Sequence, residues 1–303
     1  MKLTWMCAVA ACFALQACNG TDVETPQAQR QVGAFATSST RRPVYPTRLA
    51  TSADLVFVTD AQGDAVFGLK ADGSAAFVLE GMARPLGLAV SGDLLYVGSA
   101  GRKSVEVYSI EDHRFLRYLG NPGAWSMPSA IAVAPDGMVY VADSSRDVIG
   151  VFAANGKAQP SIGGSGSKDG QLRFPAAIAV DDTRVVVGDQ GNHRVQIFDR
   201  QGRFQKSFGA ALTTDVASRQ QMAGRFSQIQ GIALHGDAIH VLDSYHSHVQ
   251  VFDANGKCLG AYGARSDFVL GLDLLLGRPG VALISDPEHH RVIELSTVMG
   301  WTP

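Results

Sequence analysis

The hydrophobic positions of this chain come in short runs, each closed by Gly, Asp, Asn or Pro. The segment 174–209, FPAAIAVDDTRVVVGDQGNHRVQIFDRQGRFQKSFG, shows the pattern most plainly. Within it AIAV (177–180), RVVVGD (184–189), RVQIFD (194–199) and FQKSFG (204–209) are rich in Val, Ile and Phe, with Asp-Asp-Thr, Gln-Gly-Asn-His and Arg-Gln-Gly-Arg between them. β-Branched and aromatic residues suit a pleated, half-buried strand, and the polar small residues between the runs suit tight turns. The segment therefore predicts an antiparallel meander. Such a sheet has two faces to cover and no core of its own, so it requires similar neighbours.

The chain supplies them. The span from Pro175 to Asp189 has counterparts at 46–60, 85–99, 128–143, 229–243 and 269–286. The spacing is kept in most copies, grows by one residue in the third and is widest in the last. Every copy but the second ends on Asp (Asp60, Asp143, Asp189, Asp243, Asp286), and the second ends on Ser99. These recurring carboxylates are expected to accept backbone hydrogen bonds in their loops, not to act as catalytic acids. Six such units predict an all-β fold, a six-bladed β-propeller of four-stranded antiparallel blades. The last blade has too little chain after Asp286 for a full fourth strand, so either 32–38 or 298–303 is expected to complete it and cover an open edge. A short capped helix is expected at 216–223, and the Gly/Ser-rich link 163–174 reads as a mobile loop.

The whole sequence pattern is Pro-x-x-Ile-Ala-Val, then Val-x-Asp, then Asn-His-Arg-Val-x-Ile-Phe and a closing Gly. It resembles the NHL-repeat β-propeller family from about Pro46 to Leu295. The resemblance implies the propeller fold but leaves function open, because the family includes RNA-binding, protein-binding and enzymatic members.

Ahead of the repeats, Lys2 and the apolar run 3–15 have the layout of a secretory signal, too short to span a bilayer. Leu15-Gln16-Ala17-Cys18 resembles a bacterial lipobox, which implies that Cys18 is lipidated and becomes the N-terminus; cleavage as an ordinary signal peptide is the alternative. Asn19 after the cysteine points, by resemblance to Gram-negative lipoproteins, to the outer membrane, facing the periplasm or the surface. The expected organisation is a signal at 1–17, a lipidated cysteine with a polar, flexible tether at 18–43, and the propeller at 44–303. About twenty tether residues would reach roughly 25 Å root-mean-square. With Cys7 and Cys12 in the leader and Cys18 capped, Cys258 is left without a disulfide partner and reads as a packing residue.

Charge narrows the partner class. A formal net charge of −2 with 18% charged residues gives no basic footprint for nucleic acid. In a meander the loop entering each first strand and the loop leaving each second strand share one face, so that rim is the expected binding surface. It gathers Arg84, Trp125, Arg173 and Arg225 from the first set, and Arg102, Arg146 and Tyr245 from the second. Phe174 and Phe226 read as core residues. His193, His246, His248, His289 and His290 fall in equivalent loops of three consecutive blades. Imidazoles converging there could bind zinc. The NHL resemblance offers a precedent in peptidylglycine hydroxy-lyase, a zinc lyase with histidine ligands from several blades, but it equally implies that His193 and His289-His290 occupy an ordinary repeat position. The residues support two functions. The leading one is a non-catalytic, lipid-anchored envelope scaffold, without cofactor, for a protein or glycan partner. The alternative is a zinc-dependent lyase or hydrolase at the channel mouth.

Overall fold

A computed structural model describes residues 43–52, 54–212 and 219–298 of the chain. It shows a six-bladed β-propeller. The blades span 46–80, 85–118, 128–163, 175–208, 229–262 and 273–296. In blades 1–5 four strands are hydrogen-bonded in sequence order, and blade 6 contributes three strands among the described residues. The leader, Cys18, the tether, 32–38 and nearly all of 298–303 lie outside the described residues, as does the start (216–218) of the helix expected at 216–223. Of that stretch, Arg219–Met222 forms a 3-10 turn.

Burial within a blade follows strand position. Second strands have neighbours on both faces, and Val185, Val186 and Val187 in Arg184–Asp189 are fully buried. The outermost strand Ala158–Gly163 exposes all but Ile162 and carries the polar residues. Six apolar clusters form the core, one at each blade-to-blade contact. The one that joins Leu283 and Val292 of blade 6 to Leu49, Phe67 and Leu69 of blade 1 closes the ring. Near the axis the blades come too close for side chains. A Cβ on Gly188 would sit 2.7 Å from Ile229 of the next blade, and one on Gly98 would sit 2.4 Å from the Pro128 carbonyl. Glycine at those strand ends is a requirement of the wedge shape.

Blade 6 differs in register from the sequence expectation. Its first strand is Asp273–Leu276, with Leu274 opposite Ile284, so Gly271 rather than Val269 occupies the position of Pro175. The extra residues fall before the strand and in its hairpin. This register puts Asp273 level with Arg48 of blade 1, Gly87, Ala130, Ala177 and Gly231.

That level holds the ring together. First strands pair on one side only, so their other edges turn carbonyls toward the axis. The guanidinium of Arg48 fills the space between them. Its Nε donates to Ser129 O (2.9 Å), Nη1 to Gln230 O (2.6 Å) and Leu272 O (2.9 Å), and Nη2 to Ala176 O (2.5 Å). Nη1 also meets Asp273 Oδ1 at 3.1 Å, while Asp273 Oδ2 accepts from the Leu49 N–H at 2.8 Å. Arg48 is 6% exposed. One side chain of blade 1 thus satisfies acceptors from blades 3, 4, 5 and 6 that the sheets leave open. Burial holds the Asp273 carboxyl above the usual carboxylate range, and Arg48 pulls it back.

The link at 163–174, expected to be mobile, is held in place. Leu172 is fully buried, its N–H donates to Gly164 O, and Ser165 bridges to Leu172.

Replacing Arg48 with Met strands a buried carboxylate and four carbonyls, and is expected to cost about 3–5 kcal/mol. Urea unfolding reads this as a lower midpoint at unchanged slope. Arg48→Lys should recover little, because one ammonium cannot fan out to four blades. Wild-type stability of R48M would show that water serves as well.

Candidate functional site: the loop rim

The rim loops are built around the recurring aspartates. Asp189 is fully buried and accepts from the Arg173 N–H (2.7 Å), Arg194 Nε (2.8 Å), Asn192 Nδ2 and Gln196 Nε2 (2.9 Å). Asp60, Asp143 and Asp243 likewise take backbone N–H groups from the loop entering their own blade. These carboxylates fasten the end of a second strand to the start of a first. Blade 2 reverses the polarity: Ser99 Oγ donates to the Met82 and Ala83 carbonyls at 2.7 and 2.9 Å. Its carboxylate has moved to Glu106, fully buried and bound by Ser104, Tyr108 and Arg102. Burial and then Glu106 push the Tyr108 phenol well above its ordinary range.

A second regularity explains the histidines. The residue four past each strand-end marker is Asp64, Lys103, Asp147, His193, Ser247 or His290, and all six have φ between 51° and 58°. Left-handed backbone there turns the chain into the third strand, and among residues with a side chain Asn, Asp and His tolerate it best. His193 and His290 therefore hold a turn position common to every blade. The others also have fold partners. His289 Nδ1 meets Asp286 Oδ2 at 2.8 Å, His290 Nδ1 bonds Val44 O, and His246 Nε2 lies 2.9 Å from Ser227 Oγ. His248 is 8% exposed, with Nδ1 against the His246 carbonyl. Among the described residues no three His, Cys, Asp or Glu side chains are grouped as a metal site would need.

The predicted contact residues divide. Trp125 is a core residue instead of a rim contact: it is 8% exposed, donates Nε1–H to Leu119 O, and packs on Phe152 and Gly150. Arg102 and Arg146 stand on the rim but are tied down, Arg102 to Glu106 and the Gly81 carbonyl, Arg146 to the Ala124 carbonyl. Arg84, Arg173 and Arg225 are exposed and have no carboxylate partner among the described residues. Tyr245 is 63% exposed. Phe226 is buried as expected, whereas Phe174 is 39% exposed and belongs to the rim. Its φ is 49°, and its N–H is held by Asp147 of blade 3 at 2.7 Å. Arg84 is fixed the same way, with φ 57° and its N–H on Asp64 of blade 1 at 2.6 Å.

Below the rim the axis is not an open tunnel. Arg48 and Asp273 stand at one end of a cavity of about 250 Å³ lined by all six first strands. The lining runs through Ile131, Ile178 and Ile232 to Val133, Val180 and Leu276, toward the face opposite the rim. The rim and the cavity are therefore separate features, and the expected channel mouth is a plugged ring.

Comparison with known proteins agrees with this architecture. The NHL repeat family matches residues 172–198. The chain is an NHL-like β-propeller. It is 26% identical over 145 residues to Protein brain tumor of Drosophila melanogaster, a match covering 46% of this chain and 13% of that protein. It is 39% identical over 67 residues to RING finger protein nhl-1 of Caenorhabditis elegans, covering 22% of this chain and 7% of that one. The matches thus span only a small part of both relatives. Among solved structures, this NHL-like propeller resembles a streptogramin B lyase, with TM-score 0.64, 14% identity, and coverage of 89% of this chain and 87% of that one. It also resembles hydrazine synthase of Kuenenia stuttgartiensis, with TM-score 0.61, 14% identity, and coverage of 86% and 99%. At such identity the structural likeness concerns the fold alone.

A histidine with a displaced proton affinity lies away from the rim. His240 lies 8% exposed against the Tyr262 hydroxyl, and burial, then the charge of His235, push it down to about 4. Between pH 6.5 and 4 the unfolded chain binds this proton and the folded chain does not, so stability falls as pH drops. The loss is at most about 3 kcal/mol. His240→Phe should flatten the pH dependence of the urea midpoint over that window relative to wild type, and parallel curves would contradict the assignment.

Proposed function

We propose that this protein is a non-catalytic binding scaffold, anchored by lipid in the cell envelope, which engages a protein partner through its loop rim. One observation carries the reading. On the rim, Arg84, Arg173 and Arg225 are exposed without a carboxylate partner among the described residues, and Phe174 and Tyr245 are exposed on the same ring. Among the candidate catalytic groups on the same face, Asp189, His246 and His289 are engaged in holding the loops. A rigid scaffold that presents unspent arginine and aromatic side chains is suited to recognition, since those residue types dominate interface energetics. The likeness to NHL proteins is compatible with this class, because that family includes protein-binding members.

The anchor rests on Leu15-Gln16-Ala17-Cys18 and the apolar run before it. Outer-membrane sorting rests on Asn19. One acyl chain gives marginal membrane binding, so a lipoprotein of this type requires more than one.

Two measurements test the proposal. Chemical cross-linking in whole cells, followed by purification of the chain, should recover a protein partner with wild type. Recovery should fall at least tenfold with the Arg84→Glu, Arg173→Glu, Arg225→Glu triple variant at unchanged melting temperature. Equal recovery from both would place binding elsewhere. Cys18→Ser should move the chain from the membrane pellet to the soluble fraction, and continued sedimentation with membranes would remove the lipid anchor.

A further inference from the structure

We propose that the partner presents an acidic, extended protein segment that lies across blades 4 and 5 of the rim, with Arg173 and Arg225 meeting its carboxylates and Phe174 and Tyr245 its apolar side chains. This rests on the binding-scaffold reading above and names the chemistry of the partner.

On the face opposite the rim three arginines pair with nearby carboxylates: Arg184 with Asp181, Arg200 with Asp136, and Arg203 with Asp199, each at 2.6–2.9 Å. On the rim Arg102, Arg194 and Arg291 are likewise paired, with Glu106, Asp189 and Asp286, but Arg84, Arg173 and Arg225 are exposed without a carboxylate partner among the described residues. Asp64 and Asp147 hold the N–H groups of Arg84 and Phe174, and Asp189 is fully buried beneath Arg173. The acids are thus consumed at their own loops while the guanidinium groups above them stay exposed. A carboxylate approaching these loops therefore meets exposed guanidinium groups that have no carboxylate partner among the described residues.

Blades 4 and 5 add the apolar contacts. Phe174 and Tyr245 are the exposed aromatic side chains of the rim loops, at 39% and 63% exposure. The backbone presenting Phe174 is left-handed, a conformation a bulky residue leaves unless it is held, and Asp147 of the neighbouring blade holds it. The ring is presented before any partner arrives, which lowers the ordering cost of binding. Because Arg48 plugs the axis, a partner segment crosses the rim and does not thread the channel. Spaced guanidinium groups with aromatic side chains beside them fit an extended strand with alternating carboxylate and apolar residues, since each guanidinium takes a carboxylate in two parallel bonds.

The test is fluorescence anisotropy of the full propeller with a labelled peptide of alternating Glu and Leu residues. A Lys-Leu peptide and a single-stranded oligoribonucleotide of equal length serve as comparison probes. Binding of the Glu peptide alone is expected, weakening about tenfold or more in Arg173→Glu/Arg225→Glu and on raising salt. Phe174→Gly should also weaken binding while melting no lower than wild type, because glycine accepts the left-handed position freely. Tighter binding of the oligoribonucleotide, or equal binding of both peptides, overturns the proposal. If the triple variant loses its cross-linked partner yet the Glu peptide never binds wild type, the scaffold reading stands and the acidic-segment proposal fails. If partner recovery survives the triple variant, both fail.

Discussion

The structure depends on what happens to the free edges of its innermost strands. A propeller hides the faces of its sheets against one another, but each first strand still turns a row of peptide groups toward the axis with no strand to pair them. Arg48 answers this at one level for four blades at once, with the planar fork of a guanidinium whose donors point outward in the plane of the ring. Asp273 neutralises it from blade 6, the blade that must meet blade 1 for the circle to close. The remaining blades keep Gly or Ala at that level, and the close approach at Gly231, where a Cβ would meet the Leu274 N–H nitrogen at 2.7 Å, shows why. One large side chain occupies the axis because five small or complementary ones leave it room.

The same economy governs the rim. A buried carboxylate at the end of the second strand collects the N–H groups of the incoming loop, and a left-handed residue four positions later turns the chain back. Blade 2 shows that the chemistry can be redistributed without loss of the fold: hydroxyl in place of carboxylate at Ser99, carboxylate in place of amide at Glu106, each still partnered. Because loops are fixed by these internal groups, the surface above them is free to vary. Arg84, Arg173, Arg225, Phe174 and Tyr245 occupy that surface and are exposed on it. The rim and the axial cavity, joined in an open propeller channel, are here divided by the Arg48 plug.

The chain by itself determined the fold class. Repeated short apolar runs and recurring turn residues fix strand length and order, and a sheet with two apolar faces must find neighbours on both sides. The strand-end aspartates were legible as structural for the same reason, since chemistry repeated in nearly every blade serves what every blade shares. Arg48 was legible in principle, as an arginine where other copies carry Gly or Ala, but its partner was hidden by a register that runs from Gly271, set by pairing with Ser285 and Ile284. Only the tertiary structure decided which rim residues are exposed. Trp125 and Phe174 occupy similar loops in the sequence, yet one is drawn under Phe152 and the other is turned outward by a left-handed peptide held from the preceding blade. Periodicity records which residues alternate along a strand. It carries no information on contacts between blades, and those contacts settle burial in the loops and at the axis.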